Sequence, residues 1–211
     1  MNSMKTFFDN YSRLYKVPFI AGYFRGNHKW IIPELEKSPV KSLLDIGCGS
    51  GDLIAALAIK HPNWEIYGID ISDSMILQAK EKVASLQLAV GNAHNLPYSD
   101  NMFDIVINTI SFHHYEHSLQ ALNEMYRVLK PGGKLVLLDS IKNPRCISIL
   151  PWYWDFAEKA NAIRNTCLKK NLKCYLGRLL FHLSASKGST NFGPSFIYYV
   201  LHTNKQYIIK K

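Results

Sequence analysis

Five short apolar runs, at 42–46, 65–70, 86–90, 104–109 and 134–139, punctuate the middle of the chain. Each is short for a buried helix and rich in Leu, Ile or Val, which predicts strands covered on both faces. Between them, residues 52–60, 73–84 and 116–129 set apolar side chains at the three- and four-residue spacing of an amphipathic helix. This alternation predicts an α/β fold with a doubly wound, mostly parallel sheet. Residues 3–36 precede the first run and predict a helical cap. Ligands of such sheets sit beyond the C-terminal ends of the strands. Gly47 to Gly51, Asp70, Asn92 and Asn108 to Ser111 are therefore expected to meet.

The chemistry concentrates at the first two strand ends. Leu43-Leu44-Asp45-Ile46 runs into Gly47-Cys48-Gly49-Ser50-Gly51 and then into a helical pattern. Three glycines at alternate positions remove the Cβ atoms that would hold a ligand off the backbone. The turn's amides and the helix start present positive partial charge there. Tyr67-Gly68-Ile69-Asp70 ends the second strand in an acid. A carboxylate so placed can accept hydrogen bonds from both hydroxyls of a ribose, each worth about 1.5–3 kcal/mol. Glycines followed by an acid are the logic of a nucleotide site. The spacing G-x-G-x-G lacks the later glycine of the dinucleotide fingerprint, so a pyrophosphate packed against the helix is not the expected ligand. Ser72 or Asp73, rather than Asp70, is placed to cap the next helix.

Two further segments follow in order, Gly91-Asn92-Ala93-His94-Asn95-Leu96-Pro97-Tyr98 continuing to Phe103-Asp104, and Arg127-Val128-Leu129-Lys130-Pro131-Gly132-Gly133. With the glycine turn and Asp70 they resemble the motifs of the class I S-adenosylmethionine-dependent methyltransferases over residues 43–139. The resemblance implies a Rossmann-like class I methyltransferase fold. It implies S-adenosyl-L-methionine as cofactor, leaving as S-adenosyl-L-homocysteine. Carried over by position, it puts Asp45, Gly47, Cys48 (through its backbone), Gly49, Ser50, Asp70, Ile71, Asn108 and Ser111 at the cofactor. It also implies that Met75 covers the adenine, that Asn92 faces its exocyclic amine and that the Ala93 amide meets a ring nitrogen. The Lys130-Pro131-Gly132-Gly133 turn is architectural in that family, proline ending a helix and the glycines allowing the reversal.

A narrower likeness lies in the cap. Phe8-Asp9-Asn10-Tyr11-Ser12-Arg13-Leu14-Tyr15 and Gly26-Asn27-His28-Lys29-Trp30 are similar to the opening segments of the ubiquinone/menaquinone-biosynthesis C-methyltransferase group. This implies a small organic acceptor, apolar or ring-containing, and brings Tyr15 to the methionine end of the cofactor. The chain departs from the group on the acceptor side, where Phe112-His113-His114-Tyr115 replaces F-G-[LV]-R-N. After about residue 166 the group's helix and its E-x-G-F turn are missing, and Tyr199-Val200-Leu201-His202 alone is similar to its last strand. A rearranged or shortened tail is the expectation. His113 and His114 follow the fourth strand near the expected methyl position, and an imidazole titrating near 6.5 suits proton removal from an acceptor. They are the candidate catalytic residues; capping of the helix that begins near Glu116 is the alternative for one of them. Tyr115 and His28 are expected to pack or to line the site.

Charge alters this picture in the last third. The 211 residues carry 25 Lys and Arg against 16 Asp and Glu, a net +9. Residues 1–140 hold 13 basic and 14 acidic side chains, whereas residues 141–211 hold 12 basic ones against Asp155 and Glu158. The chain thus divides into a cap (1–36), a cofactor-binding core (37–140) and a basic, aromatic-rich segment (141–211) of one domain. That segment suits peripheral contact with an anionic membrane surface and, less well, nucleic acid; a solvated face with no partner is the plain alternative. RNA methylation and a catalytically weak cofactor-binding protein are accordingly the rivals to small-molecule methylation. Against the first, Asn108-Thr109-Ile110-Ser111 stands where an N-P-P-[YF] motif is expected. Cys48, Cys146, Cys167 and Cys174 form no C-x-x-C pair, no apolar run reaches the roughly 18 residues of a membrane span, and no leader pattern opens the chain. A reduced, cytoplasmic protein is expected. His113, His114 and His117 lack a carboxylate or thiolate at ligand spacing, so no metal site is expected.

Overall fold

Every residue of strand β1 (Ser42–Ile46) is buried, because both of its faces are covered. Leu44 and Ile46 join the apolar cluster beneath helix α6 (Ser118–Val128). Leu43 joins the opposite cluster beneath α3 (His28–Leu35), α4 (Asp52–Lys60) and α5 (Asp73–Lys82). The computed structural model describes residues 2–26, 28–37, 39–140, 181–188 and 196–203. The other strands are β2 (Glu65–Asp70), β3 (Gln87–Val90), β4 (Phe103–Thr109), β5 (Leu129–Ser140), β6 (Phe181–Gly188) and β7 (Phe196–Thr203).

The seven strands run in the order β3-β2-β1-β4-β5-β7-β6. The first five are mutually parallel, and β7 lies antiparallel between β5 and β6. The expected doubly wound, mostly parallel sheet is thus present. Its strand order reverses between β1 and β4, the position where such sheets open a crevice for ligands. The rearranged or shortened tail still completes the sheet: β7 pairs with β5 from Lys134↔His202 to Ser140↔Phe196, and β6 covers β7 in turn. The outer edge of β5 is a row of amides and carbonyls that must be paired. Backbone pairing makes little demand on sequence motif, which is why the departure from the group's tail did not reveal it. The basic surface expected over 141–211 falls mostly outside the described residues.

The Lys130–Gly133 turn also sits differently from expectation. Helix α6 ends at Val128, and Leu129 already pairs with Phe103 before pairing resumes at Lys134↔Ile105. The turn is a detour within β5, with Gly132 at φ +75°.

The cap comprises α1 (Asn2–Tyr11), a 3-10 turn over Ser12–Lys16, α2 (Pro18–Arg25) and α3. Asp9 of α1 docks on the N-terminus of α5, accepting from Ser72 Oγ at 2.6 Å and from the Ser74 amide at 3.3 Å. Lys5 donates to Asp9 at 2.8 Å and also reaches Asp73. Partial burial raises the Asp9 pKa, but these donors outweigh it and hold the carboxyl down to about 2. At the other end of the cap the buried Lys134 Nζ donates to the Glu34 carbonyl at 3.2 Å, tying the last turn of α3 to β5. Among the described residues no helix is long and apolar enough to cross a membrane.

Candidate active site

A cavity of about 530 Å³ lies at the crevice, floored by the ends of β1, β2 and β4 and roofed by the cap. Of the residues expected at the cofactor, Tyr15, Asp45, Gly47, Cys48, Gly49, Ser50, Asp70, Ile71, Met75, Asn92, Ala93 and Ser111 all line it. Asn108 does not. It is fully buried behind the wall, with Nδ2 at 2.7 Å from the Ile46 carbonyl, 2.6 Å from Ser111 Oγ and 2.8 Å from Tyr115 Oη. Its reach into the cavity is through Ser111 and Tyr115.

The three glycines of the turn do different jobs. All have positive φ, at +74°, +54° and +76° for Gly47, Gly49 and Gly51. A Cβ on Gly47 would stand 2.4 Å from Ser111 Oγ, and one on Gly51 would stand 2.8 Å from the Ala79 Cβ of α5. Those two glycines admit the protein's own neighbours. A Cβ on Gly49 meets nothing within 4 Å, so Gly49 is the position at which the backbone is open to a ligand. The idea that all three exist for ligand approach is therefore corrected to one.

Asp70 stands at the end of β2 with each oxygen held by a backbone donor. Gly49 N–H donates to Oδ2 and Ser72 N–H to Oδ1, both at 2.9 Å. Burial raises its pKa, against the lowering effect of these amides. An ionised carboxylate has about four acceptor sites, so acceptor capacity remains after the amides are served. Ser72 takes the capping role, its Oγ accepting from the Met75 amide at 3.1 Å, and so leaves Asp70 to the cavity. Met75 itself is buried against the cavity wall.

Asp45 is buried, and its Oδ1 has no hydrogen-bond partner among the described residues. Burial, with the nearby charge of Asp70, pushes its pKa up to about 8. Burial likewise raises the Cys48 thiol, which stays protonated and offers its backbone to the turn. Ser50 Oγ donates to Asp52 Oδ2 at 2.7 Å, and Lys82 Nζ bonds the same oxygen at 2.7 Å. This draws the glycine turn, α4 and α5 together. Asn92 Oδ1 accepts from the His94 amide at 2.9 Å, which folds the Asn92–Asn95 segment into a tight turn.

Beyond β4 the chain makes a strained turn. Ile110, a β-branched residue, has φ +53°, held by its amide donating to the Leu138 carbonyl at 2.7 Å. The next residues form a 3-10 turn, Phe112–His114, that brings both candidate histidines to the cavity. Their rings lie 3.8 Å apart between centroids, and the His114 ring meets the edge of Phe8 of the cap at 5.1 Å. Neither caps α6, whose N-cap position is His117. His113 is buried, with Nδ1 at 2.7 Å from Asp139 Oδ1 and its backbone N–H donating to Asp139 Oδ2 at 3.1 Å. Sequence reasoning missed Asp139. The available signal was the one that marked Asp70, an acid closing an apolar strand.

Residues 44–137 match the family model described as methyltransferase domain. Over those residues the chain is similar to that family. Among curated relatives, it is 37% identical over 140 residues to a demethylmenaquinone methyltransferase of Geobacillus sp., covering 62% of this chain and 59% of that one. It is 34% identical over 157 residues to one of Lactiplantibacillus plantarum, covering 71% of this chain and 65% of that one. The chain thus spans less than two thirds of the length of these relatives. In fold it is similar to a SAM-dependent methyltransferase from Aquifex aeolicus, at TM-score 0.60 and 20% identity, over 83% of this chain and 89% of that one.

These likenesses imply S-adenosyl-L-methionine as cofactor, and the cavity fits it. The orphaned oxygen of Asp45 is a site for a cationic donor such as an amino group. The open position at Gly49 admits a ligand against the backbone, and Asp70 keeps acceptor capacity for a hydroxyl-bearing ligand. These features lie along one continuous cavity.

Proposed function

We propose that this protein transfers a methyl group from S-adenosyl-L-methionine to a small, apolar, ring-bearing acceptor, of which a reduced quinone is the favoured class. One observation carries the reading. The same cavity that holds the glycine turn and Asp70 continues to an apolar roof of Met4, Phe7 and Phe8 with His113 and His114 beside it. When bound, the cofactor supplies an electrophilic methyl on a sulfonium, so the hard chemistry is its own. The chain's residues bind and orient. Asp70 holds the ribose, Met75, Asn92 and Ala93 form the adenine wall, and Asp45, Tyr15 and Ser111 surround the methionine end. Alignment of the reactants can lower the barrier by up to about 7–11 kcal/mol. His113 or His114 takes the proton that the acceptor must lose.

The names of the curated relatives support the quinone class, while the Phe112–Tyr115 segment is where this chain parts from the resembled group. Reduced demethylmenaquinone in detergent, with methyl-labelled cofactor, is the direct assay. Label appearing in the extracted quinone is the expected result. Label in RNA and none in any apolar ring compound would overturn the reading. A quinone acceptor resides in a lipid bilayer, so the basic 141–211 segment is proposed to contact anionic headgroups. Cosedimentation with anionic but not neutral vesicles is expected, and equal partition between the two would count against it.

A further inference from the structure

We propose that Asp139 is a positioning residue that fixes the tautomer of His113, leaving Nε2 as the proton acceptor toward the cavity. The inference rests on the methyl-transfer reading above and adds a residue that neither the motifs nor the family match assigns. Its basis is a two-pronged contact. One oxygen of the Asp139 carboxylate accepts the backbone N–H of His113, and the other lies 2.7 Å from His113 Nδ1. Both residues are buried, Asp139 at 8% and His113 at 8% exposure. A carboxylate in this geometry accepts, so Nδ1 carries the hydrogen, and in the neutral ring Nε2 is then the bare nitrogen. His113 lines the cavity, and with Nδ1 engaged by Asp139 its Nε2 is the ring nitrogen left for an acceptor there.

Asp139 lies at the end of β5, in register with the β7 strand through Asp139↔Ile197. His113 is delivered by the strained turn at Ile110, which is itself bonded to Leu138, the residue before Asp139. The proton account is simple. One proton leaves the acceptor's acidic O–H or C–H for Nε2, the imidazolium is offset by Asp139 in the interim, and the proton then passes to water. The acceptor keeps the electron pair of the broken bond as its nucleophile. An acceptor with an acidic proton, such as a hydroxylated ring, is the class this arrangement serves.

Asp139→Asn separates positioning from scaffolding. The backbone N–H of His113 can only donate, so it claims the amide oxygen of the new Asn. The amide NH2 then faces Nδ1 and forces it to accept, which moves the ring hydrogen to Nε2. Both contacts survive, so a merely structural Asp139 would tolerate the change. Long-range proton–nitrogen spectra of histidine-labelled protein, with His113 assigned by its loss in His113→Gln, report the tautomer without any acceptor. Expected are an Nδ1–H tautomer in the wild type and an Nε2–H tautomer in Asp139→Asn. With reduced demethylmenaquinone as probe, kcat should fall by roughly 10²- to 10⁴-fold. Calorimetric cofactor affinity should stay within about twofold. An Nε2–H tautomer in the wild type, or a tautomer switch with unchanged kcat, would overturn the proposal. Failure of the wild type to methylate the probe would instead strike the acceptor reading, and the spectra would still decide whether Asp139 sets the tautomer.

Discussion

At the scale of single residues, the site is a set of small atoms with unequal tasks. Asp70→Ala removes the acceptor sites left after Gly49 and Ser72 have donated. Loss of two charge-assisted bonds at about 1.5–3 kcal/mol each predicts an affinity drop of roughly 10²-fold or more by calorimetry; unchanged affinity would sink the ribose assignment. Gly49→Ala and Gly47→Ala separate ligand space from packing space. The first should cost about 1–2 kcal/mol of backbone strain, keep the fold and block the cofactor. The second also drives a methyl into Ser111 Oγ, so its melting temperature should fall further than that of Gly49→Ala. Asp45 makes a statement about pH. Its folded pKa is raised to about 8 by burial, above the ordinary value of 3.8. Its share of stability is therefore full below about 4 and is lost as the pH rises through 8. In the cofactor-free protein, Asp45→Asn should flatten the decline in melting temperature between pH 4 and 8, which thermal scans across that range would check.

At the scale of elements, the cap is joined to the core at defined points. Asp9 places a carboxylate on the Ser74 amide and the Ser72 hydroxyl at the N-terminus of α5, where a helix favours negative charge. Because its folded pKa is depressed, this latch is present above about pH 4 and lost as the pH falls through about 2. Asp9→Asn weakens the latch at neutral pH. Amide exchange in α1 should accelerate several-fold while exchange in β1 and β4 stays unchanged; equal acceleration everywhere would mean that the cap does not open by itself. The elements themselves were legible in the sequence. Strands at 42–46 and 65–70 and the helix at 52–60 have the boundaries that the apolar pattern predicts. A parallel strand buried on both faces must be a continuous apolar run, and that leaves a clear mark. The helix at 73–82 and the helix at 118–128 are two or three residues shorter than predicted at one or both ends, because helix ends are set by local caps rather than by the apolar period.

At the scale of the whole molecule, the sheet is completed by strands that the motifs did not announce. β5 has parallel β4 on one side and antiparallel β7 on the other, paired over Lys134 to Ser140. Ending the chain after residue 180 would bare that edge along an apolar strand, an open template for pairing with other chains. We expect such a truncated protein to aggregate or dimerise, as read by light scattering; a stable monomer with full cofactor affinity would show that β6 and β7 are dispensable.

The sequence by itself determined the sheet class, the glycine turn and the acid that follows it. Each depends on neighbours close along the chain, and local steric and hydrogen-bonding rules write such features into short words. What the tertiary structure alone decided are relations between distant words. Ser111 needs Gly47 bare, Asp139 grips His113, Asp9 sits on α5, and β7 closes the edge of β5. These partners are 26 to 68 residues apart, and their contact follows from how the sheet brings strand ends together rather than from any pattern along the chain.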